Sequence, residues 1–156
     1  MKDIQVITGC MFAGKTTELI NRLKTINKNY LLVKPKVDTR DGGNQISTHN
    51  GIAEKAIGIT RLSDIFKSLT SIKVVGIDEA QFFKFSIVED LNYLAAKNIK
   101  IIIAGLEKDY LNQPFGHMEE IIATSTSITR LKAKCNQCGQ SATYSYRKAP
   151  NLTKQL

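Results

Sequence analysis

Tryptophan is absent from the 156 residues, proline and cysteine occur three times each, and acidic residues are missing altogether after Ile121. Nor is there an apolar run of the ~18 residues or more that a membrane-spanning helix needs, so no membrane partner is expected. Met1-Lys2 leads straight into a strand-like segment, without the apolar region of a secretory leader. Three cysteines, one of them inside a glycine-rich loop, do not make the disulfide framework of a small secreted protein. These scarcities together predict a soluble protein of the reducing cytoplasm. The missing acids have a counterpart in Arg130, Lys132, Lys134, Arg147, Lys148 and Lys154, which contribute to a net charge of +8. Such an excess suits either a phosphate-rich partner or a solvated cationic tail. Only Tyr144 and Tyr146 interleave as stacking rings, so nucleic acid is not the expected partner.

What is present begins with Gly9-Cys10-Met11-Phe12-Ala13-Gly14-Lys15-Thr16, which fits G-x-x-x-x-G-K-[ST] at every fixed position. The spacing has a physical reason. Two glycines let the backbone curl so that several N–H groups converge on phosphate oxygens, where a Cβ would collide with the ligand. Lys15 is expected to reach the β- and γ-phosphates, and the Thr16 hydroxyl to ligate Mg²⁺. Four fixed positions coincide by chance in about one chain in a few hundred at ordinary glycine usage. The flanks reduce those odds. Asp3 to Thr8 reads as a short buried strand, and Thr17 to Asn29 carries Leu19, Ile20, Leu23 and Ile26 at helical spacing. The helix N-terminus then points at the phosphates.

At 42% hydrophobic residues the chain can bury one core and is too short for two ordinary domains. Tyr30 to Lys34 reads as a strand ended by Pro35. Lys36 to Ala53, with three glycines and no sustained period, reads as a long loop in which Asp38-Thr39-Arg40 and Thr48-His49 are polar candidates. Leu62 to Leu69 looks like a short helix capped by Ser63, Lys73 to Asp78 like a strand, Phe85 to Lys97 like a helix, and Lys100 to Gly105 like an apolar strand. Alternation of apolar strands with helices predicts a parallel α/β sheet covered on both faces.

A second constellation sits at the end of one of those strands, in Val74-Val75-Gly76-Ile77-Asp78-Glu79-Ala80-Gln81-Phe82-Phe83. The carboxyl ends of parallel strands are where ligands bind. An Asp there is placed to hold Mg²⁺ beside the loop hydroxyl, leaving Glu79 to orient or deprotonate a nucleophile. The same pair occurs in enzymes that activate water, so it does not by itself separate transfer from hydrolysis. Phe82 and Phe83, with at least one expected in the core, and Tyr110 and Phe115 around Pro114 suit the faces of a flat heterocycle.

These residues, with Lys36-Val37-Asp38-Thr39-Arg40, Gln113-Pro114-Phe115-Gly116 and Cys135-Asn136-Gln137-Cys138, resemble the type II, or cellular-type, thymidine kinase family in the correct order from residue 4 to about residue 148. The resemblance implies a P-loop (RecA-like) parallel sheet and transfer of the ATP γ-phosphoryl group to the 5′-hydroxyl of thymidine or deoxyuridine with Mg²⁺. It implies that Glu79 is the general base. It assigns Gly9, Cys10, Met11, Phe12, Ala13, Gly14, Lys15, Thr16, Asp78 and Gln81 to the donor nucleotide, with Thr16 and Asp78 on magnesium. Met11, Phe82, Leu106, Tyr110, Phe115 and Ser145 fall at positions around the nucleoside. Tyr110 stands where the family often has Phe, adding a hydroxyl that needs a partner. Asp38 and Arg40 match a motif near the phosphates, and Cys10 replaces the family's more common Pro or Ser.

The resemblance also implies a kinase domain over residues 1–130 and, over 131–156, the start of a zinc-bearing lasso segment. Cys135 and Cys138 give half of a tetrahedral Zn²⁺ site, which needs four ligands; His49 and His117 belong to other motifs, and no thioredoxin-like context supports a redox pair. The second ligand pair and the later lasso are absent before Leu156, so the expectation is a C-terminally truncated piece of a longer kinase. A homotetramer and feedback inhibition by thymidine triphosphate are further expectations. The competing reading is a nucleic-acid-stimulated P-loop ATPase or DNA-binding module, in which Asp78-Glu79 serves hydrolysis and the basic tail touches DNA.

Overall fold

The structure is a computed structural model that describes residues 2–9, 14–26, 29–36, 45–47, 53–109, 111–134 and 141–142. In chain order it contains β1 (Ile4–Gly9), α1 (Lys15–Ile26), β2 (Tyr30–Pro35), β3 (Gln45–Ser47), β4 (Ala53–Lys55), β5 (Ile57–Ile59), a 3-10 segment (Leu62–Ser68) and β6 (Val74–Ile77). A 3-10 turn (Ala80–Phe82), α2 (Val88–Ala96), β7 (Lys100–Ala104), α3 (Met118–Thr124), β8 (Ser127–Leu131), β9 (Ala133–Lys134) and β10 (Ser141–Ala142) follow.

Six strands form one sheet in the order β5-β2-β6-β7-β1-β8, and every pairing in it is parallel. The strands are apolar on both faces because both faces are covered. Ile4, Val6, Val75, Ile77, Ile101 and Ile103 pack with Leu91 and Leu94 of α2 and Met118 and Ile121 of α3. Their sequence neighbours Ile7, Val74, Ile102 and Ala104 turn the other way, onto Leu19, Ile20 and Leu23 of α1. The period of two along each strand thus sorts a continuous apolar run into two cores. A side chain at Gly76 would put its Cβ 2.6 Å from a Leu23 methyl, so glycine lets α1 lie close to the sheet.

The expected α/β sheet is present, and several boundaries differ from expectation. The segment read as a loop from Lys36 to Ala53 contains β3, which pairs antiparallel with β4; three-residue strands are too short for periodicity to reveal. The first helix begins at Lys15 rather than Thr17, since the loop itself opens it; it is described to Ile26, and Asn29, its expected last residue, is not helical. The helix expected from Phe85 begins at Val88. The short helix near residue 62 is 3-10, and its start is satisfied not by Ser63 but by Asp64, whose carboxylate accepts the Thr60 and Arg61 N–H groups at 3.2 and 3.1 Å. Strands β5 and β8 and helix α3 carry no strong sequence period and were not anticipated. No helix among the described residues is long and apolar enough to cross a membrane.

Candidate active site

β7 lies between the strand that leads into the glycine-rich loop, β1, and the strand that ends in the acid pair, β6. Because β6, β7 and β1 run parallel, both strands deliver these residues to the carboxyl edge of the sheet. At the loop, Gly9 has φ +145° and Gly14 φ +89°, and a Cβ on Gly14 would meet no protein atom. Glycine is therefore required there by conformation, and the space in front of it remains open to a ligand. The Gly14 carbonyl accepts the Glu18 N–H at 3.0 Å, starting α1, with Lys15 buried in its first turn.

The Thr16 hydroxyl donates to Asp78, 3.2 and 3.1 Å from its two carboxylate oxygens. Asp78 is itself fixed by its N–H donating to the Val33 carbonyl at 2.9 Å. Burial pushes its carboxyl up to about 7, the Glu79 charge adds to the rise, and the Thr16 hydrogen bond, the Glu79 backbone N–H and the Lys15 charge oppose it. A hydroxyl and a carboxylate within 3.2 Å of each other are the hard oxygen donors that Mg²⁺ takes. Thr16 and Asp78 fit that ion.

Glu79, half-buried, has φ +53° and ψ +41°, the left-handed conformation that a non-glycine residue adopts at a cost. The turn it opens carries Gln81 inward and Phe82 toward the edge. Phe83 is core, at 3% exposure, whereas the Phe82 ring meets Phe115 edge-on with centroids 5.5 Å apart. Leu106, at the exit of β7, is buried nearby in the chain path, and its N–H donates to the Gln81 amide oxygen at 3.0 Å. A cleft of about 280 Å³ lined by Pro35, Lys36, Ile59, Thr60, Phe82, Phe83 and Lys84 shares Phe82 with this wall, although it opens at the β2 and β5 ends and not over Thr16 and Asp78.

Some residues that hold the wall escaped sequence reading. Asp109 accepts the Leu111 and Gln113 N–H groups at 2.9 and 3.0 Å, its own N–H donates to the Gln113 carbonyl at 2.8 Å, and Lys108 bridges to Pro114. This small turn returns the chain so that the Phe115 N–H donates to the Glu107 carbonyl at 3.2 Å. Asp109-x-x-Asn112, with Asn112 at φ +61°, is a turn signal that was available in the sequence. Glu107 holds Arg130 through two contacts of 3.2 and 3.1 Å, raising the Arg130 pKa.

Of the anticipated site residues, Gly9, Gly14, Lys15, Thr16, Asp78, Glu79, Gln81, Phe82, Leu106 and Phe115 are described. Cys10, Met11, Phe12, Ala13, Asp38, Arg40, His49, Tyr110, Cys135, Cys138, Tyr144, Ser145 and Tyr146 lie outside the described residues. Among the described residues no group of three or more His, Cys, Asp or Glu is placed to hold a metal.

The thymidine kinase family profile matches residues 2–155. The chain is 42% identical over 154 residues to a thymidine kinase of Ureaplasma urealyticum serovar 10, covering 93% of this chain and 69% of that protein. A thymidine kinase of Ureaplasma parvum serovar 3 is 41% identical over 154 residues, with the same coverage. With the family profile spanning nearly the whole sequence and relatives of this identity, this chain belongs to the thymidine kinase family.

Proposed function

We propose that the chain phosphorylates thymidine, moving the ATP γ-phosphoryl group to the 5′-hydroxyl, with deoxyuridine as the related acceptor. Membership of the family makes it a kinase. The observation that carries the finer reading is the Thr16–Asp78 contact with Glu79 next in the chain. Phosphoryl transfer asks for positioning and charge neutralisation more than for covalent chemistry. Loop amides and Lys15 take the donor phosphates, and Thr16 and Asp78 hold Mg²⁺, which neutralises phosphate charge when bound. Glu79 accepts the 5′-hydroxyl proton. Phe82, Leu106 and Phe115, with Met11, Tyr110 and Ser145, enclose the nucleoside.

The same reading takes residues 1–130 as the kinase domain and 131–156 as the start of a zinc segment, with Cys135 and Cys138 as two Zn²⁺ ligands. It also takes the enzyme as a cytoplasmic homotetramer subject to inhibition by thymidine triphosphate. A nucleic-acid-stimulated ATPase is not favoured: Arg130, first of the tail cations, is engaged by Glu107. Labelled phosphate transfer from ATP, run with thymidine, uridine, deoxycytidine and an acceptor-free control containing single-stranded DNA, tests the choice. Product only with thymidine is the expected result; phosphate release raised by DNA would replace the kinase with the ATPase.

A further inference from the structure

The resemblance implies a donor-nucleotide role for Gln81, yet its described neighbours are the Gly105–Leu106 and Gly116 segments. Gln81 is 2% exposed. Its amide oxygen is committed to the Leu106 N–H at 3.0 Å, a buried hydrogen bond joining residues 25 positions apart. A Cβ at Gly105 would stand 3.0 Å from that same oxygen and from the Met118 sulfur. A Cβ at Gly116, which is held at φ +58°, would run into the Gln81 backbone carbonyl. Two glycines from separate segments thus make room for one glutamine, and each adjoins a residue of the aromatic and aliphatic wall: Leu106 follows Gly105, and Phe115 precedes Gly116. Phe82, whose ring meets Phe115, is the residue after Gln81 itself.

We propose that Gln81 is a positioning residue for the acceptor. Through its side-chain oxygen it ties the turn that opens with Glu79 to the β7 exit, and its backbone carbonyl packs against Gly116, where only a glycine leaves it room. The distance between the base and the nucleoside wall is set by that tie. Leucine at this position would have similar bulk and no acceptor, leaving the Leu106 N–H buried and unpaired. Such a loss is comparable to one buried hydrogen bond, or about a tenfold change in an equilibrium constant. This inference rests on the reading of Leu106, Phe82 and Phe115 as the nucleoside wall.

The test compares wild type, Gln81→Leu, Gly105→Ala and Glu79→Gln in the full chain. KM is measured for thymidine and for ATP, with Kd from equilibrium dialysis of each, and amide exchange is followed across residues 105–117. Gln81→Leu is expected to raise the thymidine constants about tenfold, leave those for ATP within about twofold, and speed exchange at Leu106. Gly105→Ala, which crowds the glutamine without removing it, is expected to repeat the pattern more weakly and decides the matter if Gln81→Leu does not fold. A rise for ATP alone, an equal rise for both, or a loss of thermal stability with neither constant changed would overturn the proposal. Unimpaired turnover in Glu79→Gln would instead overturn the base assignment and leave the thymidine-against-ATP split standing. If wild type does not take thymidine at all, the proposed function fails, and slow Leu106 exchange unaltered by Gln81→Leu overturns the tie as well.

Discussion

The donor end of the site and the wall beside it are fastened in different ways. At the donor end Gly14 to Thr16 open α1 within a few consecutive residues, and the Thr16 hydroxyl reaches Asp78 from across the sheet. The wall needs three segments, around Phe82, Leu106 and Phe115, brought together by the Gln81 amide, the Asp109 turn and the ring pair. Phosphate is the same in every nucleotide, so main-chain N–H groups in one local curl suffice for it. A nucleoside is recognised by shape, and shape has to be assembled from distant parts of a fold.

That contrast can be broken or sharpened by substitution. Glu79→Gln should cut kcat by about 10²- to 10⁴-fold, the usual contribution of a positioned base, while ATP binding measured by dialysis is retained. Near-normal turnover would remove Glu79 from the chemistry.

Asp78 should show itself in stability, in metal-free buffer. Its folded pKa is raised from 3.8 to about 7, so between those values the folded state binds a proton that the unfolded state does not. Stability therefore falls as pH rises from about 4 to 7 and levels off above, by an amount on the order of a few kcal/mol. Asp78→Asn should flatten that slope in thermal melts; an unchanged slope would mean that the carboxyl ionises as it does in the unfolded chain.

On the wall side, Asp109→Ala removes two acceptor contacts from a half-buried turn and should cost about 1–2 kcal/mol, with a several-fold rise in KM for thymidine and none for ATP. Equal changes in both would show that the two ends are not independently built.

The smallest effect belongs to His117, whose ring nitrogens face two acceptors, Glu120 at 3.0 Å and the Lys84 carbonyl at 3.3 Å. Both contacts suit the imidazolium, and the His117 pKa is raised, chiefly by the Glu120 hydrogen bond. The stabilisation is full below the ordinary histidine value and is lost as pH rises through the raised one. Because the pair is exposed, His117→Gln should change the melting temperature only slightly, and only on the acidic side.

The same contrast accounts for what the sequence disclosed. Gly14, Lys15 and Thr16 could be read because their geometry is local, and the strands ending at Ile77 and Ala104 because burial on both faces leaves an unbroken apolar run. Phe82 and Phe115 were legible as aromatic residues, but their 5.5 Å meeting depends on a turn at Asp109 and on a helix, α3, too short to show a period. Gln81 was placed by its neighbours in sequence, whereas its contacts come from residues 24 to 35 positions later; no local pattern reports these. β3 was missed because three residues paired across a polar stretch give no alternation to detect.

Glu79 sits in a backbone conformation in which glycine or asparagine would be at less strain. Stability alone would not choose a glutamate there; on the proposed reading, the carboxylate that takes the 5′-hydroxyl proton is what holds it against the backbone's preference. A gene copy released from that demand would be expected to drift at this position toward the residues the backbone prefers. If Glu79 is the base, the identity of residue 79 in a relative would mark whether that lineage still carries out the chemistry or has kept only the fold.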